Sequence, residues 1–178
     1  ELLLSEITNN ANVSAIVPVH FAGYVDDISG ISKICKAKNI KIIEDAAHAL
    51  GASYPSGEKV GSCIYSDLTV FSLHPVKSIT AGEGGVITTN NLELYYKLLS
   101  LRSHGISQLP DNDEDKLLSK SSDQRNSWYY EMQHLGFHYR ITEIQAVLAK
   151  SQLKKLDSFI KTRRELTSIY SQQFKNNR

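Results

Sequence analysis

Two short apolar runs in this chain each end on residues able to do chemistry. Ile40 to Ile43 is followed by Glu44, Asp45 and His48, and Leu68 to Phe71 by Ser72, His74 and Lys77. Together they offer a carboxylate to hold a cation, a hydroxyl to donate to an anion, and an amine to attack a carbonyl or move a proton. Gly82-Glu83-Gly84-Gly85 then turns into a further apolar run. Read singly, each has an ordinary role: an Asp caps a helix, a Lys is a solvated charge, His48 and His74 are hydrogen-bonded histidines, and the glycines make a tight turn. Position gives the group its weight, because ligands of open α/β sheets bind beyond the carboxyl ends of the strands.

The elements that would position them follow from periodicity. Ala15 to Val19 is a β-branched run closed by Pro and His and reads as a buried strand. A helix capped by Asp26 or Asp27 follows, its stripe formed by Ile28, Ile31, Ile34 and Cys35 and its end near Asn39. Ile40 to Ile43 is the next strand. Strand, helix and strand make the parallel crossover unit, so helices are expected on both faces of a parallel sheet. Leu68 to Ser72 and Val86 to Thr89 add strands, and Asn91 to Ser103 a helix with Leu94, Leu98 and Leu101 inward. Gly105 to Ser127 is acidic and serine-rich without period and reads as a polar loop. Thr142 with Gln145 is a capping box opening an amphipathic helix through Lys154, and Asp157 starts another to about Phe174.

Composition narrows the class. With 178 residues, 41% of them hydrophobic and 22% charged, the chain can bury a real core and is neither collagen-like, disordered nor coiled coil. Twenty basic against 19 acidic residues leave a net charge of +1, which favours neither nucleic acid nor a membrane surface as partner. Ala15 to Val25 is the best apolar stretch and is broken by Pro18, His20 and Gly23, so no membrane span is expected. Cys35 and Cys63 do not make a disulfide framework, and with no signal peptide before them they read as core thiols of a cytoplasmic protein. The opening at Glu1 and the final Lys175-Asn176-Asn177-Arg178 read as cuts inside something longer.

Several motifs are excluded. No G-x-x-x-x-G-K-[ST] occurs, and the glycine group leads into a strand, not a helix, so it is not a dinucleotide fingerprint. His134 and His138 are separated by Gly136 and lack further ligands, so no metal is expected. The combination of EDAAHALGA (Glu44 to Ala52), FSLHPVKSITAGEGG (Phe71 to Gly85), LRSHGI (Leu101 to Ile106) and the stretch from Trp128 to Asp157 closely resembles the DegT/DnrJ/StrS-type nucleotide-sugar aminotransferases. The likeness runs from about Val13 onward and covers the middle of the family's length. It implies an incomplete α/β large domain of the fold-type I pyridoxal 5'-phosphate transferases, a mostly parallel sheet flanked by helices. Residues 1–156 would be part of that domain, and 157–178 a helix leading toward a small C-terminal domain.

The resemblance also implies roles. Lys77 would hold the cofactor covalently and move protons; a lysine amine attacks an aldehyde only when neutral. Asp45 would hold the protonated pyridine nitrogen, keeping the ring able to accept electrons. His48 falls where the family has Gln or His near the ring's phenolic oxygen, and Ser72 matches the serine that binds the cofactor phosphate. His138 stands where the family commonly has an Asn reaching the phosphate of the neighbouring subunit, which implies a homodimer with a shared site. The implied reaction moves an amino group, with glutamate as donor, to a UDP-linked 4-keto-6-deoxy sugar, as in pseudaminic-acid-type synthesis. Two alternatives stand beside it: a sugar dehydratase, whose relatives replace the lysine by histidine, and a truncated, non-catalytic scaffold.

Overall fold

A computed structural model describes residues 5, 7, 9, 12–25, 27–107 and 130–175. The chain forms two compact units, one of Glu1–Asn90 with Thr142–Arg178 and one of Asn91–Ile141.

The first unit is built on four strands in the spatial order β1 (Ala15–Ile16), β2 (Lys41–Asp45), β3 (Leu68–Ser72) and β4 (Gly85–Thr88). The first three run parallel, and β4 returns antiparallel to β3. The β1–β2 crossover is helix α1 (Ile28–Ala37). It starts where Asp27 accepts a hydrogen bond from the Gly30 N–H, and Asn39 in the left-handed region turns the chain out of it. Ile28, Ser32 and Cys35, on one stripe, are buried, and an isoleucine so placed contributes roughly 1.5–3 kcal/mol.

Three strands differ in their bounds from the sequence reading, β4 only by one residue, running Gly85–Thr88 where Val86 to Thr89 is expected. Pro18 has no N–H to give the ladder, so β1 stops at Ile16 and Val19 makes only an isolated bridge to Asp45. β2 runs two residues past Ile43, because Glu44 and Asp45 pair with Thr69 and Val70 of β3. Glu44 and Asp45 are therefore strand residues, not loop residues beyond the strand. A hydrophobic run ends at the first charge, whereas the ladder continues wherever the charge finds partners.

One core lies under the sheet and α1, formed by Ile16, Ile28, Cys35, Ile42, Tyr54 and Phe71 with their neighbours. A second gathers Leu73, Ile79, Ala81 and Leu156. The capping box of Thr142 and Gln145 opens α3 (Glu143–Leu153), and α4 (Leu156–Gln173) follows. The expected amphipathic stripe of α3 is only partly covered: Ala149 packs against the second core, whereas Ile144 is 82% exposed and Val147 67%. No helix of the described residues is long and apolar enough to cross a membrane.

In the second unit Asn91 caps α2 (Leu92–Leu101), and Leu94, Leu98 and Leu101 are half-buried, the stripe expected from their spacing. Ile106–Ser107 (β5) pairs antiparallel with Glu131–Met132 (β6), so the reading of a loop from Gly105 onward begins too early. The remainder of that expected loop, from residue 108 on, lies outside the described residues.

Candidate active site

Alternation along two neighbouring strands sets out the site. Ile42 and Glu44 of β2 and Thr69 and Phe71 of β3 point into the core, so Ile43 and Asp45 with Val70 and Ser72 share the opposite face. There they border a hollow of about 300 Å³ together with Val17 and Ala47. Asp45 pairs in register with Val70, which places Ser72 two residues further along the adjacent strand. One oxygen of Asp45 accepts from the Ala47 N–H at 3.0 Å, and Ser72 Oγ accepts from the His74 N–H at 3.3 Å. The hollow thus carries an acid and a hydroxyl over an aliphatic floor, a combination that suits a flat ring with a cationic nitrogen and an anionic arm.

His48 follows at the turn after β2. Its Nδ1 accepts from the Ala22 N–H at 3.2 Å, and the Phe21 ring stands edge-on to it at 5.7 Å. Lys77 lies on the excursion between β3 and β4. Leu73 closes the base of this loop: its N–H donates to Gly84, and its carbonyl accepts from the Ala81 N–H and the Thr80 hydroxyl. Within the loop the Lys77 N–H donates to the His74 carbonyl at 3.0 Å. Two helices brace it from outside, through Gln145 to the Glu83 carbonyl at 3.1 Å and Arg163 to the Ser78 carbonyl at 3.3 Å. Lys77 is therefore half-buried on a loop fixed at its base and on two sides.

Asp45, His48, Ser72 and Lys77 thus belong to one unit, Asp45 and Ser72 at the ends of adjacent parallel strands and His48 and Lys77 on the segments that follow them. His138 belongs to the second unit, where it bridges Ser103 and sets its ring against His104 at 5.5 Å.

Sequence reasoning leaves one group unassigned. Glu44 is fully buried and accepts hydrogen bonds from His20 Nε2 at 2.6 Å, from the Tyr54 hydroxyl at 2.9 Å, from Thr69 at 3.1 Å and from Ser66. Burial pushes its carboxyl up, but the donors of His20, Ser66 and Tyr54 outweigh that and hold it below the ordinary glutamate range. Tyr54 is shifted upward, first by burial and then by the adjacent Glu44 charge. The signal in the sequence is a charge on the core-facing phase of a strand, two residues after Ile42.

A family model of the DegT/DnrJ/EryC1/StrS aminotransferases matches residues 2–178. The chain belongs to this family. It is 40% identical over 171 residues to a UDP-4-amino-4,6-dideoxy-N-acetyl-beta-L-altrosamine transaminase of Campylobacter jejuni, covering 96% of this chain and 40% of that protein. Among solved structures it is similar to Helicobacter pylori PseC, an aminotransferase involved in the biosynthesis of pseudoaminic acid. That match has a TM-score of 0.77 at 33% identity, over 92% of this chain and 39% of the other. It is also similar to Spr1654 of Streptococcus pneumoniae in its PMP form, with a TM-score of 0.79 at 29% identity, over 99% of this chain and 46% of the other. The chain thus spans less than half the length of these relatives.

The DegT/DnrJ/EryC1/StrS aminotransferases are pyridoxal-phosphate enzymes, and PLP and PMP forms occur among the structural relatives of this member. Its described residues fit that group: the Asp45 carboxylate and Ser72 hydroxyl stand on one face of the sheet, and Lys77 on a pinned loop of the same unit.

Proposed function

We propose that the whole protein transfers an amino group from glutamate to the keto carbon of a UDP-linked 4-keto-6-deoxy sugar, in pseudaminic-acid-type synthesis. The observation that carries this is the convergence of Asp45 and Ser72 on one hollow at the ends of β2 and β3, with Lys77 on the braced loop that leaves β3. The choice of sugar is supported by the Campylobacter transaminase and by PseC.

Bound pyridoxal phosphate would supply an electron sink for the bond-breaking carbon. The chain's own residues do the rest. Asp45 holds the proton on the ring nitrogen, Ser72 donates its hydroxyl to the phosphate, and His48 donates to the phenolic oxygen. Lys77 holds the cofactor between turnovers and gives way to the donor amine. Its freed Nζ would then take the proton from the donor's α-carbon and deliver it to the cofactor carbon bonded to the donor nitrogen, and run the same path backward when the keto-sugar enters. His138 reaches the phosphate in the neighbouring subunit of a homodimer, and the protein works in the cytoplasm.

The test is to add pyridoxal phosphate, reduce with borohydride and map the modified residue by mass spectrometry. A stable adduct on Lys77, lost in Lys77→Ala together with transamination, is the expected result. No adduct on the wild-type chain would make it a scaffold, and an unsaturated, nitrogen-free sugar product would make the whole protein a dehydratase.

A further inference from the structure

The reaction above uses neither His20 nor Glu44, yet both are almost wholly buried, 2% and 0% exposed, where few polar side chains among the described residues are. Their pairing anchors a single turn, Phe21–Gly23, and every residue of that turn meets His48. Phe21 sets its ring edge against the imidazole. Ala22 donates its N–H to Nδ1. Gly23 sits so close that a Cβ there would press on the His48 carbonyl at 3.0 Å.

The turn is held in an unfavourable shape. Ala22 has φ 53° and ψ 20°, a left-handed conformation that costs an alanine roughly 1–2 kcal/mol and persists only where its surroundings impose it. The imposing group is His20. Its N–H donates to the Asp45 carbonyl at 3.0 Å, its carbonyl accepts from the Gly23 N–H at 3.1 Å, and its Nε2 donates to Glu44. Glu44 is in turn fixed from three other sides by Tyr54, Ser66 and Thr69. These are uncharged donors, so His20 and Glu44 form the ionisable centre of the cluster with Tyr54 beside it.

An amide N–H can only donate. A ring nitrogen that accepts from it carries no proton, so a neutral His48 holds its proton on Nε2, the atom directed away from the turn. We propose that the buried His20–Glu44 pair is a positioning device for His48: it fixes the 20–23 turn so that the Ala22 N–H selects the Nε2-protonated tautomer, presenting an N–H donor to an anionic oxygen of the ligand. This rests on the reading of His48 as the contact to the cofactor's phenolic oxygen. It makes His20 and Glu44 positioning residues, and it ties His48 and Asp45 to one anchor, since the same His20 bonds the Asp45 carbonyl.

Nitrogen-15 NMR of the imidazoles in the cofactor-free protein tests it directly. The wild type should show His48 as the Nε2–H tautomer, and Glu44→Gln should shift it toward a tautomer mixture. Pyridoxal phosphate should then bind Glu44→Gln about tenfold more weakly, while at saturation the borohydride adduct still forms on Lys77. A wild-type His48 protonated on Nδ1 overturns the proposal, with no variant needed. So does a Glu44→Gln protein with unchanged His48 shifts. Should Glu44→Gln not fold, Tyr54→Phe, which removes one donor and leaves His20 in place, is expected to give a smaller shift in the same direction, and no shift overturns it. Loss of the Lys77 adduct in the wild type would instead defeat the cofactor reading and leave the tautomer measurement standing.

Discussion

At the scale of single residues, burial and hydrogen bonding decide what each ionisable group contributes. Glu44 is charged more readily in the folded chain than in the unfolded one, because its donors outweigh the cost of burial. Such a lowered carboxyl stabilises the fold fully above the unfolded value of about 4.3 and loses that contribution as pH falls through the folded value. Melting temperature should therefore drop steeply below about pH 4.3 in the wild type and less steeply in Glu44→Gln; equal slopes would show that the buried carboxylate is not the acid-sensitive group. Burial pushes the Cys35 thiol up, with the Asp67 charge adding to it, so alkylation should be slow in the native protein and fast after unfolding. In the proposed reaction Asp45 and Ser72 would contribute through bonds to a charged partner. Removing either by Asp45→Asn or Ser72→Ala should weaken pyridoxal-phosphate binding by about tenfold or more, measured by cofactor absorbance, with little change in melting temperature.

Elements are where the sequence is read most easily and also where it misleads. Capping residues with a side-chain cap are legible because their chemistry is local: Asp27, Asn91 and the Thr142–Gln145 pair all sit where their side chains satisfy the first N–H groups, whereas α4 starts at Leu156 without a side-chain cap and not at Asp157. Thr142→Ala should cost about 1 kcal/mol in denaturant unfolding. The end of β2 is not legible from hydrophobicity, because Glu44 keeps the ladder only through partners at positions 20, 54, 66 and 69, and nothing local announces them. The place of α4 is equally hidden. Gly51, with φ 89°, lets Ile160 and Leu156 come so near that any Cβ would overlap Ile160 and press on Leu156. Gly51→Ala should lower stability by at least about 1–3 kcal/mol, through both the clash and the left-handed backbone. A Gly51→Ala chain as stable as the wild type would mean that α4 does not pack there.

Over the whole molecule, the candidate site draws on distant stretches of chain. Position at or just past the ends of two apolar runs is what singles out Asp45, Ser72 and Lys77, since the strand-end rule needs only the order of elements, while their proposed roles come from the family resemblance. What holds Lys77 is not readable in that way: Leu73, Ile79 and Ala81 pack on Leu156, and Arg163 bonds Ser78 across 85 residues. Leu156→Ala should cost about 2–4 kcal/mol and slow adduct formation on Lys77, whereas the surface pair Lys161–Glu165 should be nearly neutral when broken.

The 85-residue separation of Ser78 and Arg163 also fixes an order of events during synthesis. A ribosome delivers β1, α1, β2 and β3 well before α4, at about 5–20 residues per second, so the strand ends can form while the lysine segment still lacks its brace. A nascent chain stalled before Leu156 should then be cut by protease near Lys77 and protected at Thr69, and that difference should vanish once Arg163 has emerged.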